Sequence, residues 1–216
     1  GNPLEAIASG PTVPDPTMAA DALEVLDRYG LSKKTSKSIL KVLRRGQKDK
    51  RPSPENNVQN IIVGSNLMAA QAALLQAQEE SFHPYLLRTD LQGEARDVAT
   101  DLSIQLRWAW KMSDPVPRPG CIVAGGETTV TVHGDGRGGR NTELALAAVS
   151  ELADFPDVML VTLATDGEDG STDAAGAVVT GDTWRTGIEL GINSSEFLNR
   201  NDSYTYFNNL EDLLKP

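Results

Sequence analysis

"PYLLRTDLQGEARDVATDLSIQLRWAWKMSDPVPRPGCIVAGG", residues 84–126, sets the fold class. It opens on the apolar run "PYLLRT", which suits a short buried strand. "GEARDVATDLSIQLRWAWKM" (93–112) then carries the spacing of a long helix, and "GCIVAGG" (120–126) returns to strand composition. Strand, helix and strand in that order form a crossover, and crossovers join parallel neighbours. Upstream, "NIIVG" (60–64) reads as a strand and "NLMAAQAALLQAQEE" (66–80) as a helix starting near Ser65 or Asn66. The alternation therefore begins near residue 58, and the fold class is α/β, a mainly parallel sheet flanked by helices. Downstream, "TTVTVH" (128–133) puts Val130 and Val132 on one side and Thr129, Thr131 and His133 on the other. That alternation predicts an antiparallel edge strand or hairpin.

After a glycine loop the pattern gives a helix over about 140–153, strands "VMLVTLAT" (158–165) and "AGAVVT" (175–180), and short helices near 182–190 and 204–214. Before the alternation, Pro3, Pro11, Pro14 and Pro16 punctuate an irregular lead-in. Helices are expected over 18–30 and roughly 33–45, with polar "GQKDKRPSPENN" (46–57) as a linker. The chain divides as 1–50, 51–118 and 119–216.

The 216 residues carry a net charge of −10, which argues against a nucleic-acid footprint. The basic run 33–51 reads as a solvated helix face and linker. No apolar stretch approaches the roughly 18–20 residues of a membrane span, and no signal peptide is visible. A single cysteine, Cys121, forms no internal disulfide; a reducing, cytoplasmic setting is expected. The first residues read as the middle of a sentence, so a fragment of a longer protein is expected.

"GDGRGGRNTE" (134–143) contains G-x-G-x-x-G through Gly134, Gly136 and Gly139, between a strand and a helix. A nicotinamide site wants a buried apolar strand before the loop and an acidic residue ending the next one. The strand here alternates, and Asp166 comes late. A broader reading is an anion cradle, with inward amides, a helix start, and Arg137 and Arg140. A merely flexible connection is the third.

Other candidates sit at strand ends, where open α/β sheets bind ligands. Glu127, in "AGGETT" (124–129), could orient a hydroxyl, hold a metal, or cap a turn. "ATDGEDGSTDAAGA" (164–177) gathers Asp166, Glu168, Asp169 and Asp173, hard oxygens of the kind Mg²⁺ takes or a turn uses. "VGSN" (63–66) offers Gly64 and Ser65 to a ligand, or a plain N-cap. "ASGPT" (8–12) is too Pro-fixed for an idle tail. Neither His83 nor His133 is decisive, Cys121 reads as a buried inert thiol, and one of Trp108 and Trp110 belongs to the core.

"PLEAIASGPTVPDPT" (3–17), "VGSN", "GGETTVTVHGDGRGGRNTELAL" (125–146), "ATDGEDGSTDAAGA" and "RNDSYTYF" (200–207), in that order, resemble the C-terminal half of the glycerate 2-kinase family. That family carries the MOFRL domain, and its members are often labelled hydroxypyruvate reductase. The resemblance implies two α/β domains around a cleft, with phosphate passing from Mg-ATP to the 2-hydroxyl of (R)-glycerate. Residues 1–50 would end the N-terminal kinase domain, and 119–216 would be the MOFRL-like domain without its last strand. The resemblance puts Arg140 and Glu127 in the cleft, and leaves the catalytic lysine to the N-terminal half. Thr142 stands where relatives carry glutamine.

On this reading Arg140, Glu127 and Asp166 are catalytic. Gly136, Arg137, Gly138, Gly139, Asn141, Ser65, Asn66 and Ser9 bind substrate or phosphate, and Asp166 and Asp169 hold the metal. Partners would be glycerate, ATP, the missing N-terminal half and a second copy as a homodimer, with neither nucleic acid nor membrane. The chain alone would be inactive. An NAD(P)-dependent hydroxypyruvate reductase and a non-catalytic ligand-binding module are the alternatives.

Overall fold

The structure is a computed structural model that describes residues 3–5, 7, 10–46 and 58–216. Ser9 and most of the polar linker lie outside the described residues. Contacts divide the chain into Gly1–Ser65 and Asn66–Pro216.

In the first unit, Asp21 accepts the Met18 amide at 2.6 Å and starts α1 (Ala19–Arg28). Helix α2 (Lys37–Gly46) begins later than the pattern suggested, because residues 31–35 close a turn in which the Thr35 amide and hydroxyl both donate to the Leu31 carbonyl. "NIIVG" is not a strand. Residues 58–65 have no regular structure, with Ile61 and Val63 exposed.

The second unit follows the pattern more closely. Helix α3 (Asn66–Glu79) leads to β1 (His83–Leu91), α4 (Ala95–Met112) and β2 (Gly120–Gly126). Strands β1 and β2 run parallel, from His83 beside Gly120 to Leu91 beside Gly126. The expected third parallel strand is absent among the described residues, so this sheet has two. Helix α5 (Arg140–Glu151), β3 (Met159–Leu163) and β4 (Gly176–Thr180) come next. They are followed by α6 (Thr183–Glu189), α7 (Ser194–Asn199), α8 (Ser203–Leu210) and β5 (Leu213–Leu214). Strands β3, β4 and β5 form an antiparallel sheet in that order.

Two further expectations need correction. "TTVTVH" forms one parallel bridge, Glu94 to Thr129, and no strand. Side chains take its donors instead: the Thr131 amide and Thr129 hydroxyl reach the Glu94 carboxylate at 2.9 and 2.7 Å, and the His133 amide reaches Asn201 Oδ1 at 2.8 Å. The segment 204–214 is not one helix; Glu211 turns left-handed at φ 61° and frees Leu213 and Leu214 to pair with β4. Helix α7 was not anticipated, although Asn193 caps it by accepting the Ser195 amide at 2.9 Å.

Helix α5 is the axis of the core. It buries residues from Thr142 to Val149, including Leu146, Ala148 and Val149, against Ala95, Val98 and Ala99 of α4. Ala177 and Val179 of β4 and Tyr206 and Phe207 of α8 close the remaining sides. Ala99, Ala145 and Ala148 are fully buried, so small side chains line α5 and its neighbours. Burying a side chain such as Phe207 or Leu146 contributes about 1.5–3 kcal/mol. Helix α4 thus packs on α5 across residue 118, and 66–216 is one body. Of the two tryptophans, Trp110 joins the core, edge-on to Phe155 at 5.7 Å, and Trp108 is half exposed.

Candidate functional site

The glycine loop, 134–139, lies directly on the segment 200–203. A Cβ on Gly134 would sit 2.2 Å from the Arg200 carbonyl, and one on Gly136 would sit 2.4 Å from Asp202 Cβ. Close approach is the reason for these glycines. Most of the loop's amides are spent inside the protein: His133 and Gly134 on Asn201 Oδ1, Gly136 on the Arg200 carbonyl, and Arg137 on Asp202 Oδ1. The Gly139 amide donates to Thr142 Oγ1 at 3.0 Å. Those of Asp135 and Gly138 have no protein acceptor among the described residues. The expected backbone cradle at Gly136 and Gly139 is therefore corrected: these amides hold the loop, and the site's positive charge comes from Arg137 and Arg140.

The start of α5 is occupied too. Asp169, 1% exposed, accepts the Asn141 amide at 2.9 Å and its Nδ2 at 3.2 Å through Oδ1. Oδ2 takes the Thr142 amide and hydroxyl, both at 2.8 Å. Ser203 donates to Thr142 Oγ1 at 2.9 Å from below. An internal carboxylate thus fills the position at a helix start where a dinucleotide-binding turn would seat a pyrophosphate. Asp169, expected as a metal ligand, has both its oxygens hydrogen-bonded to the first turn of α5. Among the described residues no group of three His, Cys, Asp or Glu side chains could hold a metal.

Arg140 and Glu127 meet. Nη1 of Arg140 lies 3.0 Å from Oε1 of Glu127, and both side chains are largely exposed, at 49% and 75%. Glu127 follows β2, where its amide donates to the Leu91 carbonyl at 2.9 Å. Gly126 before it, at φ 156°, presses on Leu91, where a Cβ would lie 2.2 Å from the carbonyl oxygen. Asn66 completes the corner: its Nδ2 donates to the Thr89 carbonyl at 2.9 Å, and its carboxamide fills the space beside Gly125. Its place is structural, pinning the end of β1 to that of β2. Ser65 sits half-buried just before α3. An exposed ion pair adds only about 0–1 kcal/mol to stability, so this one leaves its charges open to a ligand. Asp166 is exposed and accepts the Glu168 amide, at 3.4 Å, in its own turn; among the described residues it forms no hydrogen bond or ion pair with Arg140 or Glu127.

Arg137 carries a second charge on the same loop. Its guanidinium stacks 4.5 Å from the Tyr204 ring, which also receives Lys215 at 5.2 Å. Tyr204 donates to Asp173 at 2.6 Å, and Lys215 donates to the Tyr204 hydroxyl at 3.0 Å and pairs with Asp173 at 3.1 Å. The Tyr204 hydroxyl first, then Lys215, holds the Asp173 carboxyl below its usual value. The Tyr204 and Asp173 bonds hold Lys215 above its own. At the other end of the loop, bonds from Thr129 and Thr131 hold Glu94 below the usual carboxylate range. Cys121 is half-buried in β2, and burial pushes its thiol up.

The residues that fix this geometry were not all legible. Asn201, Asp202 and Ser203 were seen only as letters of a resemblance, although each contacts the glycine loop or α5. Glu143 was absent from the expectations. It is buried, bonds Arg96 and accepts Asn201 Nδ2 at 3.0 Å. A charged residue directly before the apolar run "LALAAV" (144–149), on the core-facing part of α5, is the signal that could have found it.

The chain is similar to proteins already known. Residues 120–216 match the MOFRL family, and residues 1–44 match a domain of unknown function, DUF4147. The chain is 37% identical over 221 residues to the glycerate 2-kinase of Pyrococcus horikoshii, covering 99% of the chain and 50% of that protein. It is 37% identical over 204 residues to the D-glycerate 2-kinase of Thermotoga maritima, covering 94% and 48%. A crystal structure of Thermotoga maritima glycerate kinase superposes with a TM-score of 0.86 at 35% identity, over 100% of this chain and 51% of that one. The chain spans about half the length of the curated relatives it matches. On these likenesses and the motifs gathered at the strand ends, residues 120–216 match the MOFRL family, and the chain is similar along its length to about half of a glycerate 2-kinase.

Proposed function

We propose that this chain is the C-terminal part of a glycerate 2-kinase, moving phosphate from Mg-ATP to the 2-hydroxyl of (R)-glycerate. The observation that carries the reading is the Arg140–Glu127 pair, 3.0 Å apart and open to solvent beyond the end of β2. Phosphoryl transfer asks the protein mainly to position the reactants and neutralise charge. Arg140 holds the anion, either the transferring phosphate or the glycerate carboxylate, as a guanidinium fork. Glu127 accepts a hydrogen bond from the substrate hydroxyl and keeps Arg140 aimed when the site is empty. Arg137, on its Tyr204 platform, provides a second anchor.

Mg²⁺ in kinases keeps waters and phosphate oxygens, and needs only one or two protein carboxylates. Exposed Asp166 fits that need; buried Asp169 does not. When bound, the ion would offset phosphate charge, with Asp166 as the carboxylate that would hold it. The catalytic lysine belongs to the preceding half, to which residues 1–50 would connect, with 51–118 and 119–216 as the α/β part that follows. No helix among the described residues is long and apolar enough to cross a membrane. A cytoplasmic location and a homodimer belong to this reading, the former on the strength of the single cysteine.

The test compares the full-length protein with the 216-residue chain in an ATP-consumption assay with D-glycerate. Activity is expected only in the former, with 2-phosphoglycerate as product. Arg140→Ala should cut kcat/KM on the order of 100-fold or more; unchanged kinetics would remove Arg140 from the mechanism. Hydroxypyruvate-dependent NADH oxidation without glycerate phosphorylation would refute the kinase reading.

A further inference from the structure

Asp169 is buried to 1% exposure, and no basic side chain among the described residues pairs with it. A carboxylate at that depth is costly unless donors compensate it. All four donors here come from Asn141 and Thr142, the residues directly after Arg140. The residue directly before Arg140 is held as well. Gly139 lies so close that a Cβ on it would sit 2.5 Å from the Asp169 carboxyl carbon. Gly170 closes from the acidic loop, where a Cβ would lie 2.6 Å from the Gly138 carbonyl oxygen. Arg140 is thus flanked on one side by backbone hydrogen-bonded to Asp169, and on the other by a glycine packed against the same carboxylate.

We infer that Asp169 is a positioning residue for Arg140. It uses the favourable field of the α5 N-terminus to lock the first turn, so that the guanidinium meets Glu127 in one orientation. Thr142 is the relay. Its hydroxyl donates to Asp169 and accepts from Ser203 and the Gly139 amide, joining three distant segments under Arg140. This rests on the role given to Arg140 above. It differs from a metal-ligand role, in which an oxygen of Asp169 would have to leave α5.

The test has two arms. In the 216-residue chain, the Nε–Hε resonance of Arg140 is followed by NMR in wild type and Asp169→Asn. The variant keeps the size but cannot accept both the Thr142 amide and hydroxyl on the second atom. The expected result is a shifted, broadened Arg140 signal in a chain that remains folded; an unchanged signal overturns the inference. If Asp169→Asn does not fold, Thr142→Val carries the same comparison. In the full-length protein, Asp169→Asn should lower kcat on the order of 100-fold through misplacement, with the Mg²⁺ concentration for half-activation unchanged. Recovery of activity at high Mg²⁺ or with Mn²⁺ overturns it in favour of a metal ligand. If wild-type protein does not phosphorylate glycerate, the proposed function fails, and the NMR arm alone decides the inference.

Discussion

Removing the Asn201 side chain tests whether the glycine loop is held from outside. Asn201 is 6% exposed and left-handed, at φ 54°. Its Oδ1 accepts the His133 and Gly134 amides at 2.8 and 3.0 Å, and its Nδ2 donates to Glu143 Oε1 at 3.0 Å. In Asn201→Gly the backbone angle is kept and these bonds are lost. Each stranded buried group costs about 1–3 kcal/mol. His133 is exposed and water can reach its amide, so the sum falls toward about 2–3 kcal/mol. Asn201→Ala loses the same bonds and adds left-handed strain of about 1 kcal/mol, so it should be the less stable variant. All three tryptophans, Trp108, Trp110 and Trp184, lie in the second unit. Urea unfolding followed by tryptophan fluorescence therefore reads that unit alone. Hydrogen exchange should also quicken at His133 and Gly134 before it does at Gly136, whose amide is held by the Arg200 carbonyl. Two variants as stable as wild type, or a glycine variant weaker than the alanine one, would refute the reasoning.

Two further outcomes follow from charges. Glu143→Ala leaves Arg96 and Asn201 without their shared acceptor in a part-buried site, and should cost about 3 kcal/mol in the same unfolding assay. Asp173 is held below its usual value, chiefly by the Tyr204 hydroxyl, so its hold on the tail is present at neutral pH and lost as pH falls through that depressed value. Lys215 is held above its usual value, again chiefly by Tyr204, so its part persists through neutral pH and is lost as pH rises through that raised value. Exchange of the Leu213 and Leu214 amides should quicken at both extremes and stay slow between; a flat profile would refute the fastening.

The second unit was legible because its signals are local. The α4 crossover, the strands around it and helix α5 all follow from period and punctuation, which chain neighbours enforce. Arg140 and Glu127 were found by a strand end and a resemblance, and the structure brings them together. What failed needed distant partners. "TTVTVH" has the alternation of a strand, but Glu94 and Asn201, 35 and 68 residues from Thr129 and His133, take its donors. "NIIVG" has a strand's composition, yet residues 58–65 take no regular structure. Asp169 looked like a metal ligand because acidity shows in one dimension, whereas its four donors belong to a helix start 27 and 28 residues away.

The glycine loop keeps its shape only in company. Its amides are received by Asn201, Asp202 and the Arg200 carbonyl, and its missing side chains make room for those same residues. Transplanted alone between a strand and a helix of another protein, "GDGRGGRNTE" would bring the arginines but none of the receivers, and would lose its conformation. Function of this kind is not portable as a motif. It moves between scaffolds only when "RNDS" and the acidic turn travel with it.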